Sequence, residues 1–296
     1  MSTCWVTEPC PLPSPCTNSH GPARYGPART PGIENRHRVS WPALFRTGVC
    51  LVLSILFVSL PPRLPAAGAA ENPLPFSTGE TLTYAVRWEM VRAGTAVFRV
   101  RPETRYRDRP VRHFELDIRS NRYVDMLYKI RDRLDGYTDI GFNHSVFYTK
   151  TQSGKDKKQI EVVFDWENNT ATYSNFGGKR DPVGIPDRTF DPLSAFYKMR
   201  TTDLAPGQTL SFPITDGKKQ FIQKAAVIEK QTLELASGPV DTFLIIPSVN
   251  HFSGVFKKSE DPTVRVWVSA DEKKIPILIK VKVFIGSVIF ELVTSS

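Results

Sequence analysis

From Glu80 onward, apolar side chains recur at every second position, the mark of strands that bury one face and wet the other. Leu82, Tyr84, Val86 and Trp88 alternate with Thr81, Thr83, Ala85 and Arg87. After a turn near Ala93-Gly94, Ala96, Phe98 and Val100 repeat the pattern, and Phe114, Leu116 and Ile118 repeat it again. Ile160, Val162, Phe164 and Trp166 follow, and a Glu167-Asn168-Asn169 turn leads into Ala171 and Tyr173 as a hairpin. Further strands are predicted at 209–214, 219–229, 231–236, 240–249, 263–269, 275–285 and 288–294. Turns such as Asp216-Gly217, Ser237-Gly238-Pro239 and Gly286-Ser287 separate most of them. No strand–helix alternation occurs, which excludes a doubly wound parallel sheet. Two short helices interrupt the strands. Asn121 to Lys129 places Tyr123, Leu127 and Tyr128 near one face. The other starts with Asp191 as N-cap and Pro192 at the first helical position, then Leu193, Phe196 and Tyr197. The predicted fold is all-β and mainly antiparallel: a strongly curved sheet or partly open β-barrel of roughly ten to twelve strands with one or two short helices.

The first 70 residues differ in kind. They hold 11 of the 24 prolines, all four cysteines and only two carboxylates, Glu8 and Glu34. Residues 49–60 form an uncharged apolar run preceded by Arg38 and Arg46 and followed by the small residues Ala66 to Ala70. That run is too short to span a bilayer comfortably and suits a signal-peptide core, with cleavage after Ala69 or Ala70. Cys50 begins the core rather than following it, so lipid anchoring there is not expected. The expected organisation is an N-terminal extension at 1–37, disordered or upstream of a true start near Val39, a signal peptide at 38–70, and one β-rich periplasmic domain at 71–296. That domain has no cysteine, which excludes disulfides, thiolate catalysis and Cys-metal ligation within it.

Residues that carry chemistry are sparse. His113, His144 and His251 sit on separate segments, with no His-x-His or His-x-x-x-His spacing, and Cys4, Cys10 and Cys16 have no second ligand cluster, so no metal is expected. No Gly-x-Ser-x-Gly elbow, phosphate-binding glycine loop or dinucleotide fingerprint occurs, so no cofactor is expected. Glu115, Asp117, Asp132, Asp135 and Asp139 read as a solvated strand face. Lysines and arginines gather at turns, and Arg99 to Arg112 holds six arginines in fourteen residues. Such a stretch suits anionic lipid headgroups or a membrane surface. Nucleic acid is not an expected partner for an exported chain, despite a net charge of +9. The strand aromatics fit either a packed core or a lined cavity.

Three groups of residues carry a family resemblance: Gly79-Glu80-x-Leu82-x-Tyr84 with Ala93-Gly94; Asp191-Pro192-Leu193-Ser194-Ala195-Phe196-Tyr197 with Arg200; and Val266-Trp267-Val268-Ser269 with Asp271, Pro276 and Ile285-Gly286-Ser287-Val288. Together they resemble the exported bacterial proteins grouped as domain of unknown function 3108, over roughly residues 72–294. The resemblance implies an envelope or periplasmic β-rich single domain of Gram-negative bacteria, and brings no established activity.

The leading expectation is a periplasmic protein, not an enzyme, that binds or carries an apolar or amphipathic lipid-like envelope ligand. Trp88, Trp267, Phe196 and Tyr197 would form its cavity or helical lid, and Arg200 its polar rim. A second reading is an interaction or structural module of an envelope assembly, docking a protein partner at a sheet edge. A third is a hydrolase in which one histidine meets a carboxylate in a cleft. A filled interior favours the second reading, an open apolar cavity the first.

Overall fold

The computed structural model describes residues 73–154, 157–235, 238–249, 263–283 and 286–296, all within the unit Ala67–Ser296. The expectations for residues 1–70 and for His251 lie outside the described residues. The first strands are β1 (Thr81–Trp88), β2 (Val91–Tyr106) and β3 (Arg109–Ser120), followed by the one-turn helix α1 (Arg122–Asp125). Next come β4 (Arg131–Asp139), β5 (Ser145–Ser153), β6 (Lys157–Asp165), β7 (Thr170–Asn175), β8 (Gly178–Lys179) and β9 (Val183–Gly184). Helix α2 (Pro192–Arg200) precedes β10 (Thr209–Thr215), β11 (Gln220–Leu235), β12 (Gly238–Pro247), β13 (Thr263–Ser269), β14 (Pro276–Val283) and β15 (Gly286–Ser295).

All pair antiparallel in one sheet, in the order β10-β11-β12-β13-β14-β15-β1-β2-β3-β4-β5-β6-β7-β8, with β9 beside β7. The first and last of the described strands are therefore neighbours in the middle: Thr81 and Ser296 exchange both backbone hydrogen bonds, at 2.8 and 3.0 Å. The alternation read from sequence sets the faces, since Leu82, Tyr84, Val86, Ala96, Phe98, Val100, Phe114 and Leu116 are all buried. β4 and β5 were not anticipated. The inward positions of β4 include Gly136 and Thr138 beside Leu134, and those of β5 include Lys150 beside Tyr148, so neither reads as an apolar alternation. Residues 219–229 and 231–236 run together as β11, with a register shift between Val227 and Glu229 where a break was expected. Helix α1 is only four residues long; Asn121 caps it by accepting from the Tyr123 and Val124 N–H groups.

The sheet does not close its hydrogen-bond ladder. Instead its two flanks meet across the core. The Ser145 N–H donates to the Thr189 carbonyl at 3.1 Å, the Phe190 N–H to the Pro213 carbonyl at 3.0 Å, and the Thr215 N–H to the Phe190 carbonyl at 3.0 Å. Residues 189–190 thus link β5 to β10. The β10–β11 turn is tucked under β6 and β7: a Cβ at Gly217, whose φ is +78°, would lie 2.9 Å from Val162 and 3.1 Å from Tyr173. Helix α2 fills the concavity between. Its Tyr197 stacks on Phe114 (4.3 Å) and meets Phe76 edge-on (5.2 Å), while Phe196 stacks on Phe98 (4.5 Å). A smaller cluster of Leu210, Val227, Ile245 and Val268 packs beneath Met199 and Leu204.

Candidate functional site

The residues expected to line a cavity divide into two sets. Phe196, Tyr197 and Arg200 are brought together in the packed interior, with the Arg200 guanidinium 5.7 Å from the Tyr197 ring. Trp88 ends β1 at the strand's exposed tip, and Trp267 sits on β13 opposite Leu244 and Leu278. Arg200 is not on a rim. It is fully buried, and its fork grips Glu80 at 2.6 and 2.9 Å while also donating to the Lys273 and Pro75 carbonyls, both at 3.0 Å. Burial of a guanidinium is costly unless every donor finds a partner, and these four contacts supply partners.

The start of α2 is fixed equally firmly. The fully buried Asp191 accepts from the Leu193 and Ser194 N–H groups at 2.8 and 2.9 Å and from Ser145 Oγ at 2.6 Å. Burial pushes its carboxyl upward against the pull of these hydrogen bonds. Gly136 faces this cap, where a Cβ would come within 2.9 Å of Ser194 Oγ and 3.0 Å of Asp191 Oδ1. Glycine is required there by close approach.

The outward face of β2–β4 carries an ion lattice. Glu115 accepts from Arg99 at 2.7 Å and from Arg133 at 2.8 Å, while Asp135 meets His113 Nε2 at 2.8 Å and Arg133 at 2.9 Å. One histidine does meet a carboxylate, as the hydrolase reading required. Burial raises the Asp135 pKa, but the hydrogen bonds from His113 and Arg133 outweigh it and hold the carboxyl at about 2. A carboxylate so firmly ionised is a poor base, and it anchors the side chains of His113 and Arg133 on this face.

A cleft of about 430 Å³ opens at the end of the sheet where the β2–β3 and β6–β7 turns lie side by side. Val111, Val146, Phe164 and Trp166 supply its apolar wall, Tyr106, Arg107 and Arg109 one rim, and Asp165 and Glu167 the other. The β2–β3 turn is a two-residue hairpin with Arg107 and Asp108 both at positive φ, 48° and 63°. Tyr106 stacks on Phe147 at 4.8 Å, and the Arg107 guanidinium lies 5.3 Å from the Tyr106 ring. Trp166 Nε1 donates to the Ser145 carbonyl at 2.8 Å, which locks the indole. On the other rim, Asp165 accepts from the Asn168 side chain and from the Glu167 and Asn168 N–H groups, which hold its pKa below the usual range. His144 leans on Trp166 at 4.3 Å, and burial lowers its pKa. The volume falls in the range of small-ligand sites, about 300–1,000 Å³. Arg107 and Arg109 belong to the arginine-rich stretch noted in the sequence. Tyr106 and Val146 carried no signal, because only the strand order brings their turns together. Among the described residues no group of His, Cys, Asp or Glu has the arrangement of a metal site.

Comparison with known proteins follows the fold. Among solved structures, the chain is similar to the crystal structure of a beta-barrel-like protein of domain of unknown function DUF1849 from Brucella abortus. The two are 9% identical with a TM-score of 0.47, over 74% of this chain and 97% of that one. No curated protein matches the sequence. Residues 83–293 match the family described as protein of unknown function DUF3108, and the chain belongs to that family.

Proposed function

We propose that this is an exported, non-enzymatic protein of the cell envelope that binds an amphipathic, lipid-like ligand in the cleft between the β2–β3 and β6–β7 turns. The cleft itself carries the reading: an apolar wall of Val111, Val146, Phe164 and Trp166 suits an acyl or ring system, whose anionic group would sit against the Arg107 and Arg109 rim, across from Asp165 and Glu167. The site lies at the end of the sheet because α2 and its aromatic neighbours occupy the concavity. The apolar run at 49–60, followed by small residues, supports export to the periplasm. The packed interior also favours a second reading, an interaction module using the stretch of β10 ahead of Pro213, beyond the part that Phe190 covers.

Native mass spectrometry separates the two. The protein purified from its source envelope without detergent should carry a lipid-like adduct, or take up 1-myristoyl-lysophosphatidylglycerol added below its micellar threshold. Arg107→Glu/Arg109→Glu should abolish either. A folded protein that stays apo under both conditions rejects the ligand and leaves the interaction module.

A further inference from the structure

The opposite end of the sheet has a different character. Large apolar side chains stand far out of the protein on two connections: Met90 (93% exposed) and Val91 (61%) at the β1–β2 turn, and Tyr123 (63%), Met126 (83%) and Leu127 (79%) in the α1 segment. These connections are one surface. The Asn121 N–H donates to the Ala93 carbonyl at 2.8 Å, and Asn121 Nδ2 donates to the Arg92 carbonyl. Gly154, at the β5–β6 turn, sits so close to Lys129 that a Cβ there would meet its carbonyl oxygen at 2.1 Å.

The charges around the patch are mostly of one sign. Arg92, Arg119, Arg122 and Lys129 are exposed, and the neighbouring β6 begins with exposed Lys157 and Lys158. The acids nearby already have partners, Asp117 lying 3.2 Å from Arg99 and 3.7 Å from Arg119. Asp125 is held by Arg131 Nη2 at 2.6 Å and by Ser120, and Glu89 accepts from the Ser287 N–H. Protruding Met, Leu, Val and Tyr side chains set among arginines and lysines are what a bilayer interface recognises: apolar tips enter the acyl boundary, Tyr rests at headgroup depth, and the cations meet anionic phosphates. A partner groove would need no such basic surround.

We infer that this end of the sheet is a membrane-docking tip that seats Met90, Val91, Met126 and Leu127 in a bilayer containing anionic phospholipid. The tip and the cleft lie at opposite ends of the 16-residue strand β2, so this inference stands whether or not the cleft binds a ligand.

The test is co-sedimentation of the protein, in the form its source cell produces, with vesicles of phosphatidylcholine alone or mixed with phosphatidylglycerol. Wild type should partition to the anionic vesicles about tenfold better, and lose that preference as salt is raised. Met90→Ser/Met126→Ser/Leu127→Ser and, separately, Arg122→Glu/Lys129→Glu should each cut that partition about tenfold with thermal midpoints unchanged. Arg107→Glu/Arg109→Glu at the cleft should leave it unaltered. Wild type that ignores anionic vesicles overturns the inference, as do tip variants that bind like wild type. Loss of a cross-link to an envelope protein in the triple variant, with vesicle binding intact, overturns it too and makes the patch a protein interface.

Discussion

Arg200 and Glu80 are 120 residues apart in the chain and joined side on, guanidinium to carboxylate, at 2.6 and 2.9 Å inside the protein. Arg200→Ala strands a largely buried carboxylate and two backbone carbonyls, and should cost about 3 kcal/mol in denaturant unfolding. Arg200→Lys should recover only part of this, because an ammonium cannot reproduce the fork. A double-mutant cycle with Glu80→Gln that shows no coupling would contradict the pairing.

The α2 cap offers a second test. Asp191→Ala removes three hydrogen bonds at once, and should destabilise by about 2 kcal/mol or more. Gly136→Ala pushes a methyl group into the same cap and should cost about 1–3 kcal/mol. The two effects should be partly non-additive, since Asp191→Ala relieves the contact with Asp191 while the closer one with Ser194 Oγ remains.

Tyr197 behaves differently. Its hydroxyl is buried with no hydrogen-bond partner among the described residues, and burial drives its pKa far above the usual phenol value. Tyr197→Phe should therefore be neutral or stabilising by about 1 kcal/mol, with the ring contacts to Phe76 and Phe114 kept. A measured loss of stability would reveal a polar partner for that oxygen.

Acid should unpick the outer lattice. Asp135 holds its proton more weakly when folded, at about 2, than its ordinary value of 3.8. The unfolded chain therefore takes up the proton first as pH falls. The stabilisation is complete above the ordinary value and drains away as pH drops through the folded one. Asp135→Asn should lower stability at neutral pH and flatten the acid limb of the stability–pH curve between those two points.

Ligand binding at the cleft should follow the rim cations and ignore the interior. Arg109→Glu should weaken uptake of 1-myristoyl-lysophosphatidylglycerol about tenfold, with the thermal midpoint unchanged. Phe196→Leu, on α2, should change stability while leaving uptake as it was. The reverse pattern would move the site into the core.

Much of the fold was legible because it rests on local rules. The period of two marked β1, β3 and β6, and Asp191-Pro192 marked the start of α2 to the residue. β4 escaped because its inward side is set by tertiary contact: Gly136 is small so that α2 can approach, and smallness has no period. Arg200 looked like a rim residue because a cation at a helix end is normally solvated. Its burial depends on Glu80, whose position relative to α2 no local pattern encodes. The cleft was half legible. The arginine-rich stretch announced one rim, but the wall facing it comes from β5 and β6, and strand order alone decides that they meet.

Because β15 lies between β14 and β1, the middle of the sheet waits for a strand translated long after β1. Until residues 286–296 emerge, β1 and β14 each lack a neighbour, and the two halves of the protein have no shared ladder. Completion of the sheet is thus held back until β15 has been made, whatever has folded before it. Deleting residues 286–296 would leave β1 and β14 without their shared partner, with residues 189–190 and α2 still joining the two flanks.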